Sequence, residues 1–173
     1  MTVWIFSNCR FGYGREICES AVKYCRNKDI PFRVIFPPIL EKHERLHRGP
    51  RAMLREFLYR RVSVAFLPYP CEVVENVNDQ GFIAQIGEGD VALVAGFSQI
   101  FRSALLSRFR QAWNVHPSLL PLYRGPVPSR WCIENHELRT GYTVHRMTTK
   151  VDEGEILLQE VVEIREGMDE RAL

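Results

Sequence analysis

A chain of 173 residues has the size of one domain and is long enough to bury about two-thirds of the surface its unfolded form exposes. With 46% apolar and 25% charged residues it falls outside the disordered and membrane classes, and a net charge of +2 points to no particular partner. No stretch approaches the roughly 20 apolar residues of a bilayer span. The opening Met1-Thr2-Val3-Trp4-Ile5-Phe6 is too short for a secretory signal, so a cytoplasmic protein with no membrane partner is expected. The five cysteines, Cys9, Cys18, Cys25, Cys71 and Cys132, are odd in number and lack C-x-x-C spacing, which argues for buried thiols over a disulfide framework or a zinc site.

Residues 2–7 read as a buried first strand and 14–28 as a helix, with Ile17, Ala21, Val22 and Cys25 at helical spacing. The loop between them holds Gly12-Tyr13-Gly14 at a helix N-terminus, where free N–H groups favour anions. It is not a dinucleotide fingerprint, because Ile17 stands where the third glycine belongs. Residues 32–36 give a second strand, and this strand–helix–strand opening implies a parallel sheet.

Residues 41–61 form a basic helical region with Lys42, Arg45, Arg48, Arg51, Arg55, Arg60 and Arg61. Glu41, Glu44 and Glu56 offset the charge and no recognisable nucleic-acid module accompanies it, so it reads as a solvated face and no nucleic-acid partner is expected. His43 and His47 stand four apart but lack the Glu of an H-E-x-x-H pattern and a third ligand, so no metal is expected. Residues 62–67 fit a helix end or a strand, and 71–77, after Pro68 and Pro70, fit a strand better. Asn78 reads as the N-cap of a short helix running to residue 86.

Residues 90–95 are a near-continuous apolar run, as in a central parallel strand covered on both faces. They feed the loop Gly96-Phe97-Ser98-Gln99-Ile100-Phe101 and a helix over 103–109. The next strand, 112–116, carries Asn114 and His116 two positions apart, hence on one face. Ligands of open α/β sheets sit outside the carboxyl ends of strands, so these two loops are expected to share one crevice. Asp152 lies in a loop between strand-like segments 142–146 and 155–162. An amide donor, an imidazole and a carboxylate together suit acyl transfer, in which one group stabilises an oxyanion and another moves protons. Residues 128–134 read as a short helix with Pro128 in its first turn, carrying Trp131 and Ile133 into the core. His136 and His145 read as core or surface residues.

The run Asn114-x-His116-Pro117-Ser118-Leu119-Leu120-Pro121, with Tyr123-Arg124-Gly125, Thr143-Val144-His145 and Val151-Asp152-Glu153-Gly154-Glu155-Ile156-Leu157, resembles the formyltransferases that use 10-formyltetrahydrofolate. That family includes the glycinamide ribonucleotide, methionyl-tRNA and sugar N-formyltransferases. The resemblance is close over 88–164 and only a pattern in the N-terminal half.

It implies an open Rossmann-like, mostly parallel α/β sheet with helices on both faces, as a single catalytic domain over 1–173. It implies catalytic roles for Asn114, His116 and Asp152, and none for His136 or His145. Phe97, Ser98, Gln99, Ile100 and Phe101 fall on one wall of the family's folate slot, and Thr148, Thr149 and Val151 on the other. Phe97, Ile100 and Phe101 would equally serve as core residues of any α/β domain. The implied reaction moves a formyl group from 10-formyltetrahydrofolate to the primary amine of a small acceptor, with no metal or nicotinamide. An amino sugar is the leading acceptor, Arg10, Tyr123 and Arg124 are the candidate acceptor contacts, and a homodimer is the candidate assembly.

Three alternatives stand beside this: a glycinamide ribonucleotide formyltransferase, a hydrolase releasing formate from the same cofactor, and a non-catalytic folate-binding module. Relatives usually continue with a further helix, and the methionyl-tRNA members with a C-terminal barrel. A short family member or a truncated chain, without room for a tRNA-gripping domain, is therefore expected.

Overall fold

The computed structural model describes residues 1–8, 12–38, 67–165 and 167–168. The basic region 41–61, His43, His47, Cys9, Arg10 and residues 62–66 lie outside the described residues.

The apolar runs form strands. β1 (Val3–Ser7), β2 (Phe32–Phe36), β3 (Glu72–Val73), β4 (Val91–Ala95), β5 (Gln111–His116), β6 (Arg139–Arg146) and β7 (Ile156–Glu163) join in one sheet, ordered β3-β2-β1-β4-β5-β6-β7. β3 through β5 pair in parallel, and β6 and β7 add antiparallel.

β1 shows why the parallel part reads as continuous hydrophobics. Trp4 and Phe6 enter one core cluster with Ile35, Phe82, Val94, Phe101 and Phe109, while Ile5 enters a second with Val34, Phe36 and residues of α1 (Gly12–Asn27). Burial on both faces leaves no polar alternation. α1 buries Cys18, Val22 and Cys25, with Ala21 packed alongside. It starts two residues before the position read from the sequence, which places Tyr13 in its first turn.

Three elements are shorter than their apolar patterns. The expected strand 71–77 narrows to Glu72–Val73, because the Gln99 side chain takes the next backbone groups: its Nε2 donates to the Val74 carbonyl at 2.9 Å and its Oε1 accepts from Val77 N–H at 2.9 Å. α2 (Gln80–Ile83) is capped by Asp79, not Asn78, with Asp79 Oδ2 accepting from Gly81 N–H at 2.8 Å. It stops before residue 86 because Gln85 and Ile86 donate to carbonyls three residues back, which tightens the turn. Asn78 instead reaches the far loop: its Nδ2 donates to the Ile100 carbonyl at 2.9 Å and its Oδ1 accepts from Arg102 N–H at 2.8 Å. α3 (Ser103–Leu106) ends early for the reason α2 does, with Arg108 and Phe109 bonded three residues back.

α4 (Pro128–Glu134) matches the expected range with Pro at its start, but its inward face differs. Pro128 and Cys132 are the buried residues, whereas Trp131 stays 49% exposed and Ile133 is half-buried. Val127, the residue before the helix, takes a left-handed conformation (φ 50°), which turns the helix so that Cys132 meets the Thr140 hydroxyl at 3.4 Å.

Among the described residues no helix is long and apolar enough to cross a membrane.

Candidate active site

The chain order reverses beside β1, whose neighbours are β2 and β4. In open α/β sheets ligands bind at such a switch point, outside the carboxyl ends of the strands. A cleft of about 1300 Å³ lies there, lined by Asn8 after β1, Gly96 after β4 and His116-Pro117 at the end of β5. It exceeds the roughly 300–1,000 Å³ of an ordinary small-molecule pocket, and so has room for two ligands.

Asn114, His116 and Asp152 all line this cleft. Asn114 and His116 share a face of β5, and the cross-strand partner of Asn114 is His145 on β6. Asp152 sits between them on a left-handed residue (φ 53°) of the β6–β7 loop. Its Oδ2 accepts from Gly125 N–H at 2.9 Å and lies 3.5 Å from His116 Nδ1. Its Oδ1 lies 3.4 Å from both Asn114 Nδ2 and His145 Nε2.

The carbonyls behind the rings fix their orientation. His116 Nε2–H donates to the Tyr123 carbonyl at 2.8 Å, leaving Nδ1 toward Asp152. His145 Nδ1–H donates to the Arg146 carbonyl at 3.0 Å. Its Nε2 then accepts from the Asn114 amide at 3.2 Å when the ring is neutral, and donates to Asp152 when the ring is charged. Burial pushes the Asp152 carboxyl up, but the His145 hydrogen bond, the Gly125 N–H and the charges of His116 and His145 outweigh it and hold the group below the usual carboxylate range. Tyr13 faces the same cleft, and burial, reinforced by the Asp152 charge and opposed by the Gly96 N–H, pushes its phenol up to about 12.

The loops expected as folate walls both border the cleft: Phe97, Ser98, Gln99, Ile100 and Phe101 on one side, Thr148, Thr149 and Val151 on the other. They divide by role. Phe101 is buried and Phe97 half-buried, packed edge-on against each other and against Phe6 at ring distances of 6.0, 4.8 and 5.4 Å. The Gln99 side chain is committed to the backbone of Val74 and Val77. Ile100 and Val151 stand 60% and 50% exposed.

Of the expected acceptor contacts, Arg10 lies outside the described residues, and neither Tyr123 nor Arg124 lines the cleft. Arg124 pairs with Glu153 at 3.1 Å. Tyr123 turns its carbonyl to His116 and its hydroxyl to Glu137 and Asn135.

The sequence pattern of the family described as formyl transferase matches residues 74–173, more than half of the chain. The chain belongs to the formyl transferase family.

Within that family, it is 38% identical over 99 residues to a methionyl-tRNA formyltransferase of Thermotoga neapolitana, a stretch that covers 55% of this chain and 31% of the relative. Among solved structures it resembles a glycinamide ribonucleotide transformylase 1 of Symbiobacterium toebii, at TM-score 0.65 and 25% identity, over 99% of this chain and 77% of that one. A sugar N-formyltransferase of a Shewanella species shares the fold at TM-score 0.67 and 23% identity, over 99% of this chain and 61% of that one. The chain thus matches about a third of the length of its curated relative.

The candidate site also holds His145, which reads from the sequence alone as a core or surface residue. His145, only 2% exposed, touches Asn114 and Asp152 at once. A β-bulge between β6 and β7 lies at this position, where such irregularities re-aim side chains. The antiparallel partnership of β5 and β6 was the signal that could have found it, because it sets residue 145 opposite residue 114. Among the described residues no group of three or more His, Cys, Asp or Glu is arranged to hold a metal ion.

Proposed function

We propose that this chain transfers a formyl group from 10-formyltetrahydrofolate to the primary amine of a small acceptor of the amino-sugar class. The observation carrying this reading is that Asn114, His116 and Asp152 meet in the cleft that also gathers the 97–101 and 148–151 loops. The cleft suits a flat heteroaromatic donor: the exposed apolar side chains of Ile100 and Val151 border it, and its volume leaves space for an acceptor beside the donor. The donor, when bound, supplies an activated formyl carbon.

The chain's residues then divide the remaining work. Asn114 lines the cleft, and an amide N–H turned from Asp152 or His145 to the formyl oxygen stabilises the negative charge that develops there, a donor that typically lowers a barrier by about 3–4 kcal/mol. Asp152, held ionised by its surroundings, accepts the proton that the attacking amine loses as its nitrogen bonds to the formyl carbon, and returns it to the donor's nitrogen as the bond from that nitrogen to the formyl carbon breaks. His116 is held by the Tyr123 carbonyl with its Nδ1 3.5 Å from one carboxylate oxygen, to which it donates when the ring is charged. The acceptor class is supported by the likeness of Tyr123-Arg124-Gly125 and Thr143-Val144-His145-Arg146-Met147 to the sugar-nucleotide and tRNA branches, and by neutral polar groups, Asn8 and Tyr13, along the cleft.

Calorimetry with 5-formyltetrahydrofolate, a stable mimic of the donor, tests the pocket, and turnover of His116→Ala tests the chemistry. Binding by wild type with loss of most turnover in the variant is the expected result. A folded wild type that ignores the folate, or a His116→Ala protein with near-normal turnover, would sink the reading.

A further inference from the structure

The turn Tyr123-Arg124-Gly125 reaches both His116 and Asp152 through its backbone. The Tyr123 carbonyl accepts from His116 Nε2–H at 2.8 Å, and Gly125 N–H donates to Asp152 Oδ2 at 2.9 Å. Tyr123 (φ 55°) and Gly125 (φ 89°) are both left-handed. Glycine takes that conformation freely and tyrosine does not, so the local backbone preference works against the turn and other bonds must hold it.

Those bonds come from Tyr123 and Arg124, whose side chains do not line the cleft. The Tyr123 hydroxyl donates to Glu137 and accepts from Asn135 Nδ2 at 3.1 Å, which fixes the start of the turn to the residues just after α4. Arg124 Nη1 lies 3.1 Å from Glu153 Oε1. Glu153 adjoins Asp152, so this pair ties the turn to the same loop that Gly125 N–H touches. The loop is itself fixed on β6, because Gly154 lies so close to the Arg146 carbonyl that an added Cβ would collide with it. Lys150, 3.6 Å from Glu153 Oε2, belongs to the same loop and adds no link to the turn.

We propose that the Arg124–Glu153 pair is a clasp that holds Gly125 N–H on Asp152, so that Arg124 and Glu153 are positioning residues of the site. The proposal rests on the formyl-transfer reading above for the role of Asp152, but the geometry it requires is measurable without a ligand. A half-exposed ion pair contributes little to global stability, so releasing the clasp moves the turn and not the fold. Asp152 faces His116 of β5, His145 of β6 and Gly125 N–H, with Tyr13 of α1 along the same cleft and Lys150 and Glu153 on its own loop. Gly125 N–H is one of the groups that hold its carboxyl low, so losing that bond raises the folded-state pKa while both imidazoles remain in place.

The test follows the Gly125 amide by NMR in the full chain, as wild type, Arg124→Gln, Glu153→Gln, Arg124→Lys and the double variant Arg124→Glu with Glu153→Arg. Two quantities are read: the hydrogen-exchange rate of that amide, and the pH at which its shift reports the titration of Asp152. In both Gln variants exchange is expected to accelerate by about 5–10-fold, the range of one hydrogen bond, and the titration midpoint to move up. Melting temperature and the amides of β4 and β5 should stay as in wild type. Arg124→Lys replaces a single N–O contact by another point charge, and it and the swapped pair are expected to restore both readings. Unchanged Gly125 readings in the folded Gln variants overturn the clasp, as do Lys and swapped variants that restore neither reading, or an acceleration shared by β4 and β5. Failure of wild type to bind 5-formyltetrahydrofolate in calorimetry overturns the formyl-transfer reading instead, while the clasp is still decided at Gly125.

Discussion

Asn114 and His145 face each other across β5 and β6, and the Asn114 amide lies 3.2 Å from His145 Nε2. The strand register thus places a second imidazole against Asp152, on the oxygen that His116 does not face. His145→Ala is expected to lower kcat by about 100-fold, the scale of an ångström's misplacement of reacting groups. Folate binding should survive, because His145 lies on β6 and not in the 97–101 or 148–151 loops. Single-turnover rates beside calorimetry check this, and an unchanged kcat would remove His145 from the unit.

The Asp152 carboxyl has a depressed folded-state pKa, which links the site to acid stability. Such a group contributes stability that is full above its unfolded value of about 3.9 and is lost as pH falls through the lower folded value. Melting temperature should therefore drop on acidification from roughly pH 5 to pH 2, and drop less in Asp152→Asn. Melting curves of the two proteins that stay parallel across this range would contradict the linkage.

Gly154 closes the Asp152 loop against β6. A Cβ there would collide with the Arg146 carbonyl, a backbone atom that cannot swing aside. Gly154→Ala is expected to cost about 2–3 kcal/mol, as overpacking does, and to lower kcat by moving Asp152. Urea denaturation measures the first effect. A stability loss below about 0.5 kcal/mol, the size of an ordinary surface change, would mean that the loop can shift freely.

The parts of this molecule legible in its sequence were those set by local pattern. Val91–Ala95 and Gln111–His116 announce themselves as apolar runs, and the period of two placed Asn114 beside His116 before any pairing was known. What remained hidden was non-local. Gln99 ends β3 by binding Val74 and Val77 from across the sheet, and Asn78 spends its side chain on residues 100 and 102 instead of on a helix it precedes. His145 is visible as a site residue only once β6 is known to run antiparallel to β5. Tyr123 and Arg124 have the chemistry of ligand contacts, yet the left-handed turn at Tyr123 (φ 55°) sends the backbone carbonyl, and not the ring, toward His116.

Asp90 allows stability to be changed without touching the cleft. Its carboxylate is 5% exposed and accepts from Thr2 N–H at 2.7 Å, Trp4 Nε1–H at 2.8 Å and Gly87 N–H at 3.0 Å. Burial raises its pKa, but the Trp4 hydrogen bond, the two backbone N–H groups and the chain's amino terminus together bring it below the usual carboxylate range. Its contribution to stability is therefore also full above the unfolded value and lost on acidification through the folded one. Asp90→Ala leaves the Trp4 N–H, on a ring 1% exposed, without its acceptor, and should cost about 2–3 kcal/mol. Asp90→Asn keeps an acceptor oxygen but not the charge, so it should cost less and flatten the acid fall in melting temperature. Both variants should retain wild-type kcat/KM at a temperature where they are fully folded. A selective loss of turnover in folded Asp90→Asn would show that the β1–β4 seam is coupled to the cleft and not merely its support.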